Sequence, residues 1–166
     1  MAEIVLSRVD SRLIHTQQAR EWMQRCGAER IVVIDDGLKN DPFVFSAFQQ
    51  QIPRGIRLMI VGIDQAADAY GLNAMGDGKV ALFFKDIQAA YEAAERGLGM
   101  PSLQVARSEK KKYSREILPD IFITETEALL LKHMEDRGID VYFQDETAGE
   151  KTQAGEILKK FKQNLI

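Results

Sequence analysis

The chain has a single cysteine, no membrane-length apolar run and no large excess of charge of either sign. Cys26 alone can form no internal disulfide and cannot build a zinc site, which fits a reducing compartment. No uncharged apolar stretch approaches the roughly 18 residues of a membrane span. Glu3 and Arg8 interrupt the opening segment where a signal peptide needs an unbroken apolar core, so a cytoplasmic location is expected. Twenty-two Lys plus Arg against 25 Asp plus Glu give a formal net charge of −3, so no global basic field draws in nucleic acid. Any positive site must therefore be local. Hydrophobic residues at 45% and charged residues at 28% exclude disordered and fibrous classes. At 166 residues, without linker or internal repeat, one domain over residues 1–166 is expected.

Short apolar runs rich in branched residues alternate with stretches of helical spacing. EIVLSRV (3 to 9), RIVVID (30 to 35), IRLMIVG (56 to 62), KVALFF (79 to 84), SLQVA (102 to 106), IFIT (121 to 124) and IDVYFQ (139 to 144) read as strands. Helices are expected over 16 to 26, 41 to 51, 64 to 71, 86 to 96, 124 to 137 and 149 to 163. Asn40-Asp41-Pro42 and the Thr124 and Glu127 pair have the form of helix starts, and Gly27, Gly97 and Gly138 stand where helices should stop. The pattern predicts a three-layer α/β fold: a mostly parallel central sheet of about seven strands with helices on both faces. Trp22, Phe43, Phe45 and Phe48 have spacings that fit a sheet-facing core.

In such sheets ligands bind at the carboxyl ends of strands, which directs attention to the loops beginning near Arg8, Asp35, Gly62, Lys85 and Ala106. The first, SRVDSRLIHTQQ (7 to 18), is the richest. His15 falls at the start of a helix, where free N–H groups and the positive dipole end form an anion site. Arg8 and Arg12 add two planar cations suited to phosphate oxygens, and Asp10 can either hold an arginine or orient the imidazole. Cationic surroundings favour the uncharged ring, a nucleophile. Metal ligation would require more His, Cys or carboxylate nearby, and a serine-hydrolase elbow of the form G-x-S-x-G is absent. Covalent phosphoryl transfer through His15 survives, beside a plainer reading in which the histidine caps its helix or pairs with Asp10.

These residues carry a family resemblance. RVDSRLIHTQQ resembles the R-[IV]-D-x-R-L-[IV]-H-G-Q segment of enzyme IIB in the mannose/fructose/sorbose family of the bacterial sugar phosphotransferase system. GAERIVVIDDGLKNDPF and KVALFFKDIQAAYEAAERGL are similar to further stretches of that family. The resemblance implies a protein-Npi-phosphohistidine–sugar phosphotransferase. His15 matches its phosphorylated residue, which takes the group from a phosphorylated IIA protein and gives it to a sugar carried by membrane subunits IIC and IID. Arg8, Arg12 and Gln17 match positions of the family's motif, and together with the helix start at Thr16 they would bind the phosphate and stabilise its charge; Asp10 matches a loop position. No cofactor is implied, because the donor is itself a phosphoprotein. The chain would lie against the inner membrane face through IIC and IID; a homo-oligomer is compatible, and nucleic acid is not a partner.

Two departures stand out: Thr16 replaces the family's usual glycine, and Ala106-Arg107-Ser108 followed by Glu109 and Lys110 to Lys112 replaces a glycine-containing loop. They leave open a non-catalytic or regulatory IIB-like module that binds IIA or a regulator without passing phosphate to sugar. Asp35 and Asp36 lack the further aspartate and lysine of a receiver-type magnesium site, so Asp36 is expected to serve its loop as a cap. Cys26 reads as a packed residue. The three lysines read as a solvated run, and His133 as a helix-end histidine.

Overall fold

The computed structural model describes residues 1 to 163. Its central sheet has seven strands: β1 (Ala2–Asp10), β2 (Arg30–Ile34), β3 (Arg57–Val61), β4 (Gly78–Phe84), β5 (Ser102–Arg107), β8 (Asp140–Phe143) and β9 (Thr152–Gln153), in the order β3-β2-β4-β1-β5-β8-β9. All adjacent pairs are parallel except β8 with β9. Two further strands, β6 (Arg115–Leu118) and β7 (Ile121–Ile123), form a separate antiparallel ribbon. The sheet has the expected strand number with a different membership. The IFIT strand leaves it for the ribbon, and the two-residue β9, too short to carry an alternation signal, joins it.

The helices are α1 (Thr16–Cys26), α2 (Pro42–Gln51), α3 (Ile63–Gly71), α4 (Ile87–Glu95), α5 (Glu125–Asp136) and α6 (Ala154–Gln163). Alternation within the strands divides the core between the two sheet faces. Ile31, Val33, Ala81 and Phe83 pack with Trp22 and Met23 of α1, whereas Val32, Ile34, Val80, Leu82 and Phe84 pack with residues of α3 to α6. The expected helix signals are present. Asp41 accepts from the N–H groups of Phe43 and Val44, Thr124 and Glu127 form a capping box, and Gly27 closes α1 at φ 68°. The residues from 149 to 153 do not join α6, because that segment first supplies β9.

Helix α2 departs from the sequence reading. Phe43 is 85% exposed and Phe45 40%, Phe48 is half-buried, and no residue of the helix is fully buried; only Trp22 takes its expected core position. The reason is topological: α2 runs to β3, the edge of the sheet, where there is too little neighbouring surface to cover its aromatic side chains.

Crossovers place the carboxyl ends of all the parallel strands on one side. From β1 the chain turns to α1 on one face and then outward to β2. From β5 it passes through the β6–β7 ribbon to α5 on the other face and then to β8 on the opposite side. Because β1 and β5 are neighbours, their loops diverge and leave a crevice at their carboxyl ends.

Phe84, fully buried between layers, is expected to cost about 3–5 kcal/mol when replaced by Ala. Phe43→Ser should change stability by no more than about 0.5 kcal/mol. Urea unfolding of the two variants checks the assignment, and a comparable loss in both would contradict it.

Candidate functional site

Strand β1 carries Arg8 to the crevice in a buried position, at 1% exposure. A lone cation there would be very costly, and both of its Nη groups are correspondingly occupied. Nη1 donates to Gln104 Oε1 at 2.6 Å and to the Asp145 carbonyl at 3.0 Å; Nη2 donates to Asp10 Oδ2 at 3.1 Å and to Asp145 Oδ1 at 3.0 Å. Trp22 lies across the guanidinium, its ring centroid 5.7 Å from Cζ, and donates Nε1–H to the same Asp145 carbonyl at 2.8 Å. Burial draws the Arg8 guanidinium below its usual value, while the charges of Asp10 and Asp145 oppose the shift.

Asp10, also buried, holds both expected arginines. Its Oδ1 accepts from the Arg12 backbone N–H at 2.9 Å and from Nε at 3.1 Å, and its Oδ2 accepts from Arg12 Nη2 at 2.9 Å. Burial alone would raise its carboxyl, but the hydrogen bonds from Arg12 and the charge of Arg8 outweigh it and hold the group below the ordinary 3.8. The hydrogen bonds to Asp10 in turn raise the Arg12 guanidinium.

The loop then reverses sharply. Leu13 donates its N–H to the Asp10 carbonyl at 2.8 Å and adopts φ 59°, a left-handed conformation that costs a side-chain-bearing residue about 1–3 kcal/mol. Leu13 and Ile14 are buried in the α1-side core, which holds the loop in that shape. With those two side chains turned inward, His15 emerges exposed in an extended conformation (φ −124°, ψ 127°) at the N-cap of α1. It makes no side-chain cap, and no acidic residue stands in the first turn, so nothing neutralises the positive end of this helix. Thr16 and Gln17 are exposed on that turn, where Gln17 Nε2 donates to Glu21 Oε1 at 3.3 Å.

The sequence reading set both arginines around a phosphoryl group; the structure separates them. Arg12, 27% exposed, remains at the mouth of the loop, while the Arg8 guanidinium is enclosed with both Nη groups engaged, so it fixes the loop. Asp36 acts as a cap in an unexpected place. Its Oδ1 accepts from Ile63 N–H at 2.9 Å and starts α3 from a neighbouring loop, and a Cβ on Gly62 would meet that oxygen at 2.7 Å. Asp35 closes its own turn by accepting from Gly37 and Leu38. Burial pushes the Cys26 thiol up, consistent with a packed residue. Lys111 leaves the solvated run to pair with the buried Glu127 at 2.8 Å. Among the described residues, no cluster of His, Cys, Asp and Glu is arranged to hold a metal ion.

Two members of the site were not anticipated. Asp145 stands just past β8, a strand whose carboxyl-end loop was missing from the inspected set even though the same rule points to it. Gln104, wholly buried, was hidden inside an apolar strand. Arg107, noted only as a departure, reaches the site from the end of β5: its carbonyl accepts from Ser11 N–H at 3.2 Å, and its Nε lies 3.4 Å from Asp145 Oδ2. A shallow hollow of about 730 Å³ lies elsewhere, along edge strand β3, and shares no residue with the histidine loop. His15, Thr16 and Gln17 all stand exposed at the surface.

Comparison with known proteins gives a consistent result. Residues 4–165 match the family model described as PTS system sorbose subfamily IIB component. The N-acetylgalactosamine-specific phosphotransferase enzyme IIB component 1 of Escherichia coli (strain K12) is 25% identical, covering 90% of this chain and 95% of the relative. The mannose-specific EIIAB component of the same organism is 22% identical, and the chain spans 49% of its length. Among solved structures, manxB from Thermoanaerobacter tengcongensis superposes with a TM-score of 0.90 at 28% identity, covering 97% of this chain and 98% of that one. The IIBSor domain of the Klebsiella pneumoniae sorbose permease shares the fold at a TM-score of 0.88 and 18% identity, over 95% and 97% of the two chains. No helix among the described residues is long and apolar enough to cross a membrane.

The Asp10 carboxyl is held below its unfolded value, so its stabilising contribution is complete above about pH 4 and is lost as pH falls through the lower folded value. Asp10→Asn, which leaves Arg8 short of a buried anion, is expected to lose about 3–5 kcal/mol at neutral pH and to show a shallower acid decline. Denaturant titrations at about pH 7 and pH 3 measure both effects, and an unchanged acid limb would remove Asp10 from this role.

Proposed function

The chain belongs to the sorbose subfamily of IIB components of the bacterial phosphotransferase system, and from that premise we propose that it is a phosphocarrier using His15 as its phosphohistidine. The observation that carries this reading is the exposed His15 at an uncapped, unneutralised helix start, next to a loop in which Asp10 fixes the Arg12 guanidinium.

The chemistry follows from that placement. The lone pair of the uncharged His15 imidazole attacks the phosphorus carried by the phosphohistidine of a IIA protein. The new N–P bond forms as the donor's N–P bond breaks, and the electron pair returns to the donor ring. Phosphoryl transfer of this kind depends mainly on positioning and charge stabilisation, which Arg12 and the α1 N–H groups around Thr16 and Gln17 supply to the equatorial oxygens. In the second half, a sugar hydroxyl oxygen attacks the phosphorus, the His15 N–P bond breaks with its electrons returning to the ring, and the hydroxyl proton passes to a base. Arg8 supports both halves indirectly, by holding the loop. No organic cofactor enters, because the donor is a phosphoprotein. The name of the mannose-specific EIIAB relative joins A and B components in one protein, which supports IIA as the donor; IIC and IID carry the sugar and hold this chain at the cytoplasmic membrane face.

A regulatory module that takes phosphate without delivering it is the second reading, favoured by Thr16 and by the 106–112 loop, which Lys111 ties down to Glu127. Sugar phosphorylation by membranes containing the matching IIC and IID separates the two: labelling without delivery favours the regulator.

Incubation with phosphoenolpyruvate, the general phosphotransferase proteins and the cognate IIA is expected to add one acid-labile phosphate to the native chain and none to His15→Ala. Equal labelling of the two would sink the mechanism. Arg12→Lys keeps the charge and loses the planar fork, so transfer should slow by about tenfold in rapid-quench measurements. An unchanged rate would exclude bidentate contact by Arg12.

A further inference from the structure

We infer that Arg107 is a further phosphoryl-contacting residue of this site, held on Asp145 until a phosphoryl group on His15 takes that carboxylate's place. The inference rests on the phosphocarrier reading. Three guanidiniums converge on Asp145: Arg8 at 3.0 Å and Arg12 at 3.5 Å approach Oδ1, and Arg107 at 3.4 Å approaches Oδ2. Only the first is a short, buried contact. Arg12, Arg107 and Asp145 are 27%, 31% and 26% exposed, and both outer contacts are longer than the roughly 2.7–2.9 Å of a charge-assisted hydrogen bond.

Arg107 is held loosely for a side chain in this position. Its Nε is enclosed yet has no hydrogen-bond partner, and its remaining ion pair, to the 60% exposed Asp120, spans 3.4 Å. Its backbone, by contrast, is fixed. Residue 107 pairs with Asp10 across β1 and β5, and its carbonyl holds Ser11. The guanidinium can therefore change partner without any strand moving.

It stands at the end of β5, where the β1 and β5 loops diverge, beside the start of the histidine loop. Arg12 and Arg107 each lie within 3.5 Å of one carboxylate, so an anion seated between them meets both. A phosphoryl group offers more oxygens and more charge than a carboxylate does and wins the exchange. Asp145 is then a positioning residue. It balances the arginines when no phosphate is present and competes with the incoming group.

The test uses phosphoramidate, a small donor that requires no partner protein: its N–P bond breaks as the His15 N–P bond forms, and ammonia leaves. Labelling is followed by intact mass and by ³¹P NMR, with circular dichroism as the control for folding. Arg107→Met is expected to label about tenfold more slowly and to displace the phosphohistidine resonance, and Arg107→Lys should not restore either. Asp120→Asn releases the outer ion pair of Arg107 and leaves the contacts to Arg8 intact, so it should label at least as fast as the native chain. A purely structural tie between Arg107 and Asp145 predicts that Arg107→Met leaves the phosphohistidine resonance where it is. If Arg107→Met labels at the native rate with an unmoved resonance, or if Asp120→Asn is slowed as much as Arg107→Met, the inference fails while native labelling stands. A native chain that labels no better than His15→Ala overturns the phosphocarrier reading, and the inference with it.

Discussion

A positive charge enclosed between sheet and helix governs the geometry of this site. The interior accepts Arg8 only because two carboxylates, one side-chain amide and one backbone carbonyl meet its guanidinium. Those acceptors come from the end of β1, the middle of β5 and the second residue after β8. Satisfying one cation therefore fixes three strands relative to one another. Asp10 passes the constraint outward, since the carboxylate that pairs with Arg8 also orients Arg12, and the backbone carbonyl of the same residue closes the turn by accepting from Leu13.

The exposure of His15 follows from the same constraint. A turn this tight requires a left-handed residue, and the buried Leu13 bears that strain because its side chain and that of Ile14 fill the core against α1. Two consecutive residues directed inward leave the next one directed outward, at the start of a helix whose first turn contains no acid. Packing energy thus sets the direction of the imidazole. Electrostatics sets what that direction favours, namely an anion, while the surface around the ring stays open enough for another macromolecule to approach.

Much of this was legible in the sequence, for identifiable reasons. Strands buried on both faces are near-continuous apolar runs, and capped helices carry local signals, so β1 to β5 and α1 to α5 could be placed closely. The histidine loop was legible because its charged residues interrupt an apolar run at a predicted strand end. Long-range partnership was not. Nothing local to Arg8 shows that Gln104 and Asp145 would enclose it, and a motif that places two arginines side by side does not show that one turns inward. The aromatic residues of α2 misled for a related reason: helical spacing marks an apolar stripe, but whether a neighbour covers it depends on the strand order, and β3 proved to be the edge. Strands β6 and β9 lacked the length or alternation that a periodicity argument needs, and although β7 was legible as a strand, its pairing outside the main sheet was not.

The sequence distances within the Arg8 frame have a consequence for biogenesis. Two of the four hydrogen bonds to Arg8 come from Asp145, which lies 137 residues downstream. During synthesis, the histidine loop leaves the ribosome long before the segment that balances its buried charge. A nascent or truncated chain ending before β8 contains the whole histidine motif but only half of the contacts that hold its guanidinium in place. The working geometry of the loop is therefore closed only after the segment that follows β8 has been made.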